Sequence, residues 1–188
     1  MIPLLACSLL SLALTIERLL FWARMTSQQT AQSMLKLVEA GEFDKAIKVG
    51  RDSRHPIARV LLAGLAHRNP APAKAMEAEA QAQIPTLKSR LGTLDTIITL
   101  APLLGLLGTV VGMIGSFDIM SEAGMGQPHA VTGGVAEALI ATATGLLIAI
   151  LTLIPYNYFN TRVEKEMDAM EHYSSSLELL LHEVLAKH

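Results

Sequence analysis

Along this chain charge vanishes twice for more than twenty residues. The first uncharged run, Thr96–Phe117, reads TIITLAPLLGLLGTVVGMIGSF, and the second, Ala138–Thr161, reads ALIATATGLLIAILTLIPYNYFNT. Each is long enough to cross a bilayer core of about 30 Å as a helix. Both are dense in Gly, Ala and Thr, residues that let membrane helices approach closely. A third apolar run, Ile2–Trp22, carries its positive charges after it, at Arg18 and Arg24, whereas a signal peptide has them before. It reads as a first membrane helix that starts outside, with Arg18 snorkelling to the headgroups and Trp22 at the interface.

Between and after these runs the pattern is amphipathic. Gln28–Ala40 and Glu42–Arg51 flank Gly41 and predict an antiparallel helix pair with Leu35, Val38, Phe43, Ala46 and Ile47 inward. His55-Pro56 breaks the pattern. Ile57–His67 predicts a short helix with Val60, Leu61 and Leu65 on one side, and Asn69-Pro70-Ala71-Pro72 a turn. From Ala73 a helix is expected to climb towards the membrane and to run into the second span, with Pro85 either kinking it or marking a break. Beyond the third span, Phe159, Val163, Met167, Met170, Tyr173, Leu177, Leu180 and Val184 recur at helical spacing and predict a long extension, packed either within the subunit or on neighbours.

The expected fold is therefore an all-α membrane protein with three transmembrane helices. Residues 1–23 form the first, 24–94 a cytoplasmic helical domain, 95–117 the second transmembrane helix, 118–134 a short periplasmic loop, 135–158 the third and 159–188 a cytoplasmic extension. Composition agrees: 51% of residues are hydrophobic, 17% are charged, and the mean hydropathy is +0.40. Charge supplies the orientation. Twelve of the fifteen Lys and Arg fall between Arg18 and Arg90, none between Asp118 and Glu137, and three after Thr161. Positive charge belongs on the cytoplasmic side, so the chain is expected N-out and C-in.

The net charge of −2 says little about partners, and the lack of a basic patch with interleaved aromatics argues against nucleic acid. The single cysteine, Cys7, excludes an internal disulfide framework. The six histidines show no metal-ligand spacing, and there is no Ser-His-Asp set or phosphate loop, so neither an enzyme nor a cofactor is expected.

The candidate chemistry lies in the last two spans. Gly105, Gly108, Thr109, Gly112 and Gly115 form a nearly smooth face, with Gly108 and Gly112 a GxxxG pair, and Gly145 is a small position in the third span. This face reads as helix packing. A lone copy would leave it without a close partner, which predicts a homo-oligomer. Thr109 is the only polar side chain between Ala101 and Gly115, so it also reads as lining a water-accessible path. In the third span Glu137, Ala141, Thr144 and Ile148 share a face at about 100° per residue, and Thr142 lies about 140° round from Glu137. Threonines in a span otherwise bond the carbonyl four residues back, and an acid in a first helical turn is favoured by the dipole. Asp95 reads as an interfacial charge.

The blocks APLLGLLGTVVGMIGSF at Ala101–Phe117, GGVAEALIATATGLLIAI at Gly133–Ile150 and YNYF at Tyr156–Phe159, in this order and spacing, resemble the ExbB/TolQ/MotA proton-channel family, and most of all its ExbB members. IERLLFW at Ile16–Trp22 and AGEFDKAIKV at Ala40–Val49 extend the resemblance over nearly the whole chain. It implies a subunit of the bacterial inner membrane, embedded in its lipids, in a ring that is a pentamer in the best-described members. The second and third spans would line a pore holding single helices of an ExbD-like partner, which carries the proton-accepting aspartate. With a TonB-like protein the assembly would energise outer-membrane transport. Thr109 and Thr142 fall on the family's pore threonines and Glu137 on its glutamate near the periplasmic end. The family's usual proline in the third span is Leu151 here, with Pro155 four residues on, and Thr144 stands where an apolar residue is usual. No carboxylate lies mid-span, so a partner that supplies one is the natural completion. A TolQ-like subunit of the Tol-Pal system and a non-conducting scaffold are the alternatives. A secondary transporter is disfavoured, because three spans show no inverted repeat.

Overall fold

The computed structural model describes residues 2–25, 29–123 and 128–186. These form seven helices: α1 Ile2–Arg24, α2 Gln29–Glu39, α3 Phe43–Asp52, α4 Pro56–Ala66, α5 Pro72–Lys88, α6 Leu91–Ala123 and α7 Pro128–Ala186. No strand occurs among the described residues. Among the described residues, three helical segments are long and apolar enough to cross a membrane. The chain divides into two units, one of Met1–Leu19 with Arg90–Phe159, the other of Leu20–Ser89 with Asn160–His188.

In the first unit Leu4 of α1 packs with Ile97 and Ala101 of α6 and Ala141 and Ile148 of α7, and Cys7 and Leu104 lie against this cluster. Outward-facing positions such as Leu9, Leu103, Leu107, Leu147 and Ile154 are exposed, a coat suited to hydrocarbon. Buried hydroxyls are satisfied on their own helices. Ser11 donates to the Ser8 carbonyl at 3.0 Å, Ser116 to Gly112 at 2.9 Å and Thr152 to Ile148 at 2.7 Å. Arg18 does not snorkel. Its side chain is buried beside Glu17 at 3.8 Å, and Glu17 also lies 3.6 Å from Arg90.

Two expectations about element boundaries change. The helix rising from Pro72 does not run on into the second span: α5 ends at Lys88, and Arg90 adopts a left-handed conformation with φ 67° before α6 begins. The expected loop at 118–134 is largely helical, since α6 continues to Ala123 and α7 starts at Pro128. DIMSEA at Asp118–Ala123 holds no Gly or Pro to stop a helix, and proline suits the first helical position. Residues 124–127 of that loop lie outside the described residues.

The second unit is a packed helical body. At the end of α2, Gly41 takes φ 77°, its N–H bonds the Val38 carbonyl at 2.9 Å, and the Glu42 N–H bonds Leu37 at 2.8 Å. This Schellman arrangement requires a residue at ease in the left-handed region. Of the five inward positions expected in α2 and α3, Val38 and Ala46 are buried, while Leu35, Phe43 and Ile47 are half-buried. Met34 and Gly50 join the core instead. Val60, Leu61 and Leu65 of α4 are buried as expected, together with Ile57 and Ala58. The stripe on α7 packs inside this unit: a methyl at Gly64 of α4 would lie 3.1 Å from Leu177 and 2.6 Å from the Met76 sulfur. Val163, Met170, Tyr173, Leu177 and Leu181 are its buried members, with Leu181 in place of the expected Leu180.

Candidate functional site: the threonine pair at the α6–α7 crossing

The site is built from small residues on two antiparallel helices. A methyl at Gly145 would collide with the Ala101 carbonyl, one at Gly105 would meet the Ala141 carbonyl at 2.9 Å, and one at Gly108 the Ala141 side chain at 2.9 Å. Towards the other end, a methyl at Gly112 would meet Ala138 at 2.7 Å and one at Gly134 would collide with Ser116. The seam thus pairs Ala101, Gly105, Gly108, Gly112 and Ser116 with Gly145, Ala141, Ala138 and Gly134. Both series step by three or four residues, one face of a helix. Gly105, Gly108, Gly112 and Gly145 are therefore packing positions within one chain. This corrects the expectation that the glycine face of α6 needs a second copy to cover it, because α7 already does so. Gly115 is not part of the seam: nothing lies within 4 Å of a methyl there.

Thr109 and Thr142 meet across this seam, and their hydroxyls are hydrogen-bonded to each other. Thr142 also donates to the Gly105 carbonyl at 3.0 Å. The Thr109 hydroxyl lies 3.3 Å from the Gly105 carbonyl, one turn back, and 3.3 Å from the Ala138 carbonyl across the seam. Both side chains are half-buried. The glycines make this possible, since Cβ atoms at Gly105 and Gly108 would hold the helices apart. Two hydroxyl protons here have more acceptors than they can fill. The pair can turn a lone pair or a proton towards a further group without breaking its helices.

The other sequence candidates are placed differently. Thr144 bonds the Ile140 carbonyl at 2.7 Å, four residues back on its own helix. It is two positions from Thr142, about 200° round the helix, and so is not brought to the pair. Glu137 is exposed and borders a groove of about 390 Å³ formed with Gly108, Gly112, Ser116 and Gly134. Asp95 is exposed near the start of α6. No group of His, Cys, Asp and Glu among the described residues is placed to hold a metal ion.

Sequence reasoning missed the α7 half of the seam apart from Gly145. Gly134, Ala138, Ala141 and Gly145 repeat at 4, 3 and 4 residues, a signal equal to that of α6. It also missed His55, whose ring caps α4 by accepting the Ile57 N–H at 3.3 Å and lies buried in the second unit.

Comparison with known proteins supplies the context for this geometry. Residues 52–172 match the model of the MotA/TolQ/ExbB proton channel family. Two Synechocystis proteins bearing the name ExbB-like are similar over nearly the whole chain. The one numbered 3 is 37% identical over 95% of this chain and 89% of its own length, and the one numbered 1 is 38% identical over 98% and 76%. The Tol-Pal system protein TolQ of Haemophilus influenzae is 39% identical over 48% of this chain and 40% of its own length. The matched residues include the seam and the hydroxyl pair within it, and by its sequence the chain belongs to the MotA/TolQ/ExbB proton channel family.

Proposed function

We propose that this chain is an ExbB-like subunit of a proton-driven motor of the bacterial inner membrane. It would form a homo-oligomeric ring, expected to be a pentamer, whose pore holds an ExbD-like single-span partner, and would use the proton motive force with a TonB-like protein to energise outer-membrane transport. The chain carries protons past neutral hydroxyls and does no covalent chemistry. The observation that supports this reading most directly is the Thr109–Thr142 pair in spans that hold no mid-span carboxylate. A hydroxyl donates and accepts, so it serves a partner's carboxyl in either protonation state. Being neutral, it adds no fixed charge to a path the proton must leave. Glu137, exposed at one end of the seam, would act at the outer mouth.

The test is proton flux in proteoliposomes holding the chain with an ExbD-like partner. Thr109→Val and Thr142→Val keep the side-chain shape. Each is expected to lower flux about tenfold, the worth of one hydrogen bond of ~1.4 kcal/mol. The double variant should be no worse than the more severe single, since both remove the same bond. Unchanged flux in the double variant would leave a packing seam with no conducting role, the scaffold reading. The match to TolQ favours a second reading, a subunit of the Tol-Pal system. Rescue of a strain lacking TolQ, but not of one lacking ExbB, would select it.

A further inference from the structure

In the second unit a buried histidine faces a half-buried glutamate, and neither plays a part in the threonine site. His55 lies between α3 and α4 and its side chain is 3% exposed; Glu166 of α7 is 13% exposed. The His55 Nδ1 accepts the Ile57 N–H at 3.3 Å, so in the neutral ring the proton sits on Nε2. That nitrogen faces Glu166 Oε2 at 3.9 Å, and Oε2 is buried with no hydrogen-bond partner. The distance exceeds a hydrogen bond but is closed by a small side-chain rotation. Around the pair, the His55 backbone N–H bonds the Ser53 hydroxyl at 3.2 Å, and Arg162, one turn earlier on α7, is the charged group acting on Glu166.

We propose that His55 and Glu166 form a buried site for a single proton, which ties the α4 N-terminus to α7 when occupied. With no proton, the pair carries a negative charge with one carboxylate oxygen buried and not hydrogen-bonded, a cost that Arg162 only partly offsets. With one, it is neutral overall. If the proton is on Glu166, the carboxyl still accepts from Nε2–H and the cap on Ile57 survives. If it is on His55, an ion pair forms but Nδ1 becomes a donor and the cap is lost. The geometry therefore favours the carboxyl. Burial acts the same way, pushing Glu166 above the ordinary carboxylate range against the opposing pull of Arg162, and pushing His55 below its ordinary value. The two titrations are drawn towards each other, and the site fills as pH falls from neutrality. Loss of the proton weakens the tie between the α3–α4 turn and α7, the helix that also carries Thr142.

The two variants that each keep one half of the site make opposite demands on pH. His55→Asn cannot titrate but retains a side chain that caps α4 well. It leaves Glu166 with a raised folded-state pKa, so the folded chain binds more protons than the unfolded one and stability rises, relative to wild type, as pH falls through that pKa. Glu166→Gln leaves His55 with a depressed folded-state pKa. The unfolded chain then binds more protons, and relative stability falls as pH drops below the ordinary histidine value. Thermal unfolding of the full chain in detergent should therefore give apparent midpoints that shift in opposite directions for the two variants between about pH 7 and pH 5. The double variant should be flat relative to wild type. Nitrogen NMR of labelled histidine should show His55 titrating below its ordinary range, and Glu166→Gln should move that titration. Parallel pH profiles in the two single variants, or an ordinary His55 titration indifferent to Glu166→Gln, would overturn the proposal.

Discussion

Gly145 is the position where the helix seam leaves least room. A methyl there collides with the Ala101 carbonyl and comes within 3.2 Å of both the Ala101 carbonyl carbon and Gly105 Cα. All three are backbone atoms, so no rotamer change relieves the clash. α6 must retreat by about 1 Å to reach ordinary contact distances, and such a gap forfeits a quarter to a half of each dispersion contact along the seam. Overpacking of this kind costs ~1–3 kcal/mol. The same retreat stretches the 3.0 Å bond from Thr142 to the Gly105 carbonyl, worth about 1 kcal/mol. Against this, Gly→Ala in a helix interior returns about 1 kcal/mol. Gly145→Ala should thus destabilise the chain by about 1–3 kcal/mol on balance, by the overpacking range above. Gly115→Ala, with nothing within 4 Å, meets no clash and should gain up to about 1 kcal/mol. The pair is compared by circular dichroism during denaturant titration in one detergent. Equal stabilities would refute the seam as described. A Gly115→Ala chain that folds normally but no longer assembles would instead place that face at a subunit contact.

Gly64→Ala, in the second unit, should cost less than Gly145→Ala, about 1 kcal/mol, because the obstructing Met76 is a flexible thioether; limited proteolysis would rank the two. Arg90→Gly removes a left-handed strain of about 1–2 kcal/mol at φ 67° and an exposed ion pair to Glu17 worth little, so unfolding should be unchanged or later, and a large loss would give that ion pair an unexpected weight. In a Cys7→Ala background, an impermeant thiol reagent should label a cysteine at Gly126 from outside intact cells and fail to label one at Ser53; the reverse pattern would overturn the charge-based orientation.

The helices were legible in the sequence wherever period and composition spoke together. The two uncharged runs became parts of α6 and α7, and the long amphipathic stripe became the buried face of α7 in the second unit. Boundaries were less legible. Thr86–Arg90 holds no Gly or Pro to break a helix, yet Arg90 adopts φ 67°, a conformation most often given to glycine. Arg18 was assigned to the headgroups because arginine commonly reaches them. Its side chain is buried beside Glu17, which also lies 3.6 Å from Arg90, a contact distant in sequence that no local pattern carries. The glycine face of α6 reads from sequence as a packing surface with its partner in another copy. The matching series Gly134, Ala138, Ala141 and Gly145 shows that the partner is the next helix.

The threonines show most clearly what spacing alone leaves open. Six of them lie in residues 95–117 and 135–158 of these two helices, and by residue type they are equivalent. Thr144 and Thr152 each bond one carbonyl, on their own helix, at 2.7 Å. Such a hydroxyl has a single good arrangement, and turning it outward costs that bond. Thr109 and Thr142 share their two protons among the Gly105 carbonyl, the Ala138 carbonyl and each other. Exchanging one arrangement for another within this set breaks one bond and makes another, so the net cost is a small fraction of the bond's gross strength. A carboxyl brought alongside can therefore be met by a donor or an acceptor with little reorganisation. That difference separates a threonine that satisfies a helix from one that can serve a moving proton. It arises because Gly105 and Gly108 let the two backbones approach closely enough for hydroxyls on different helices to compete for the same carbonyls.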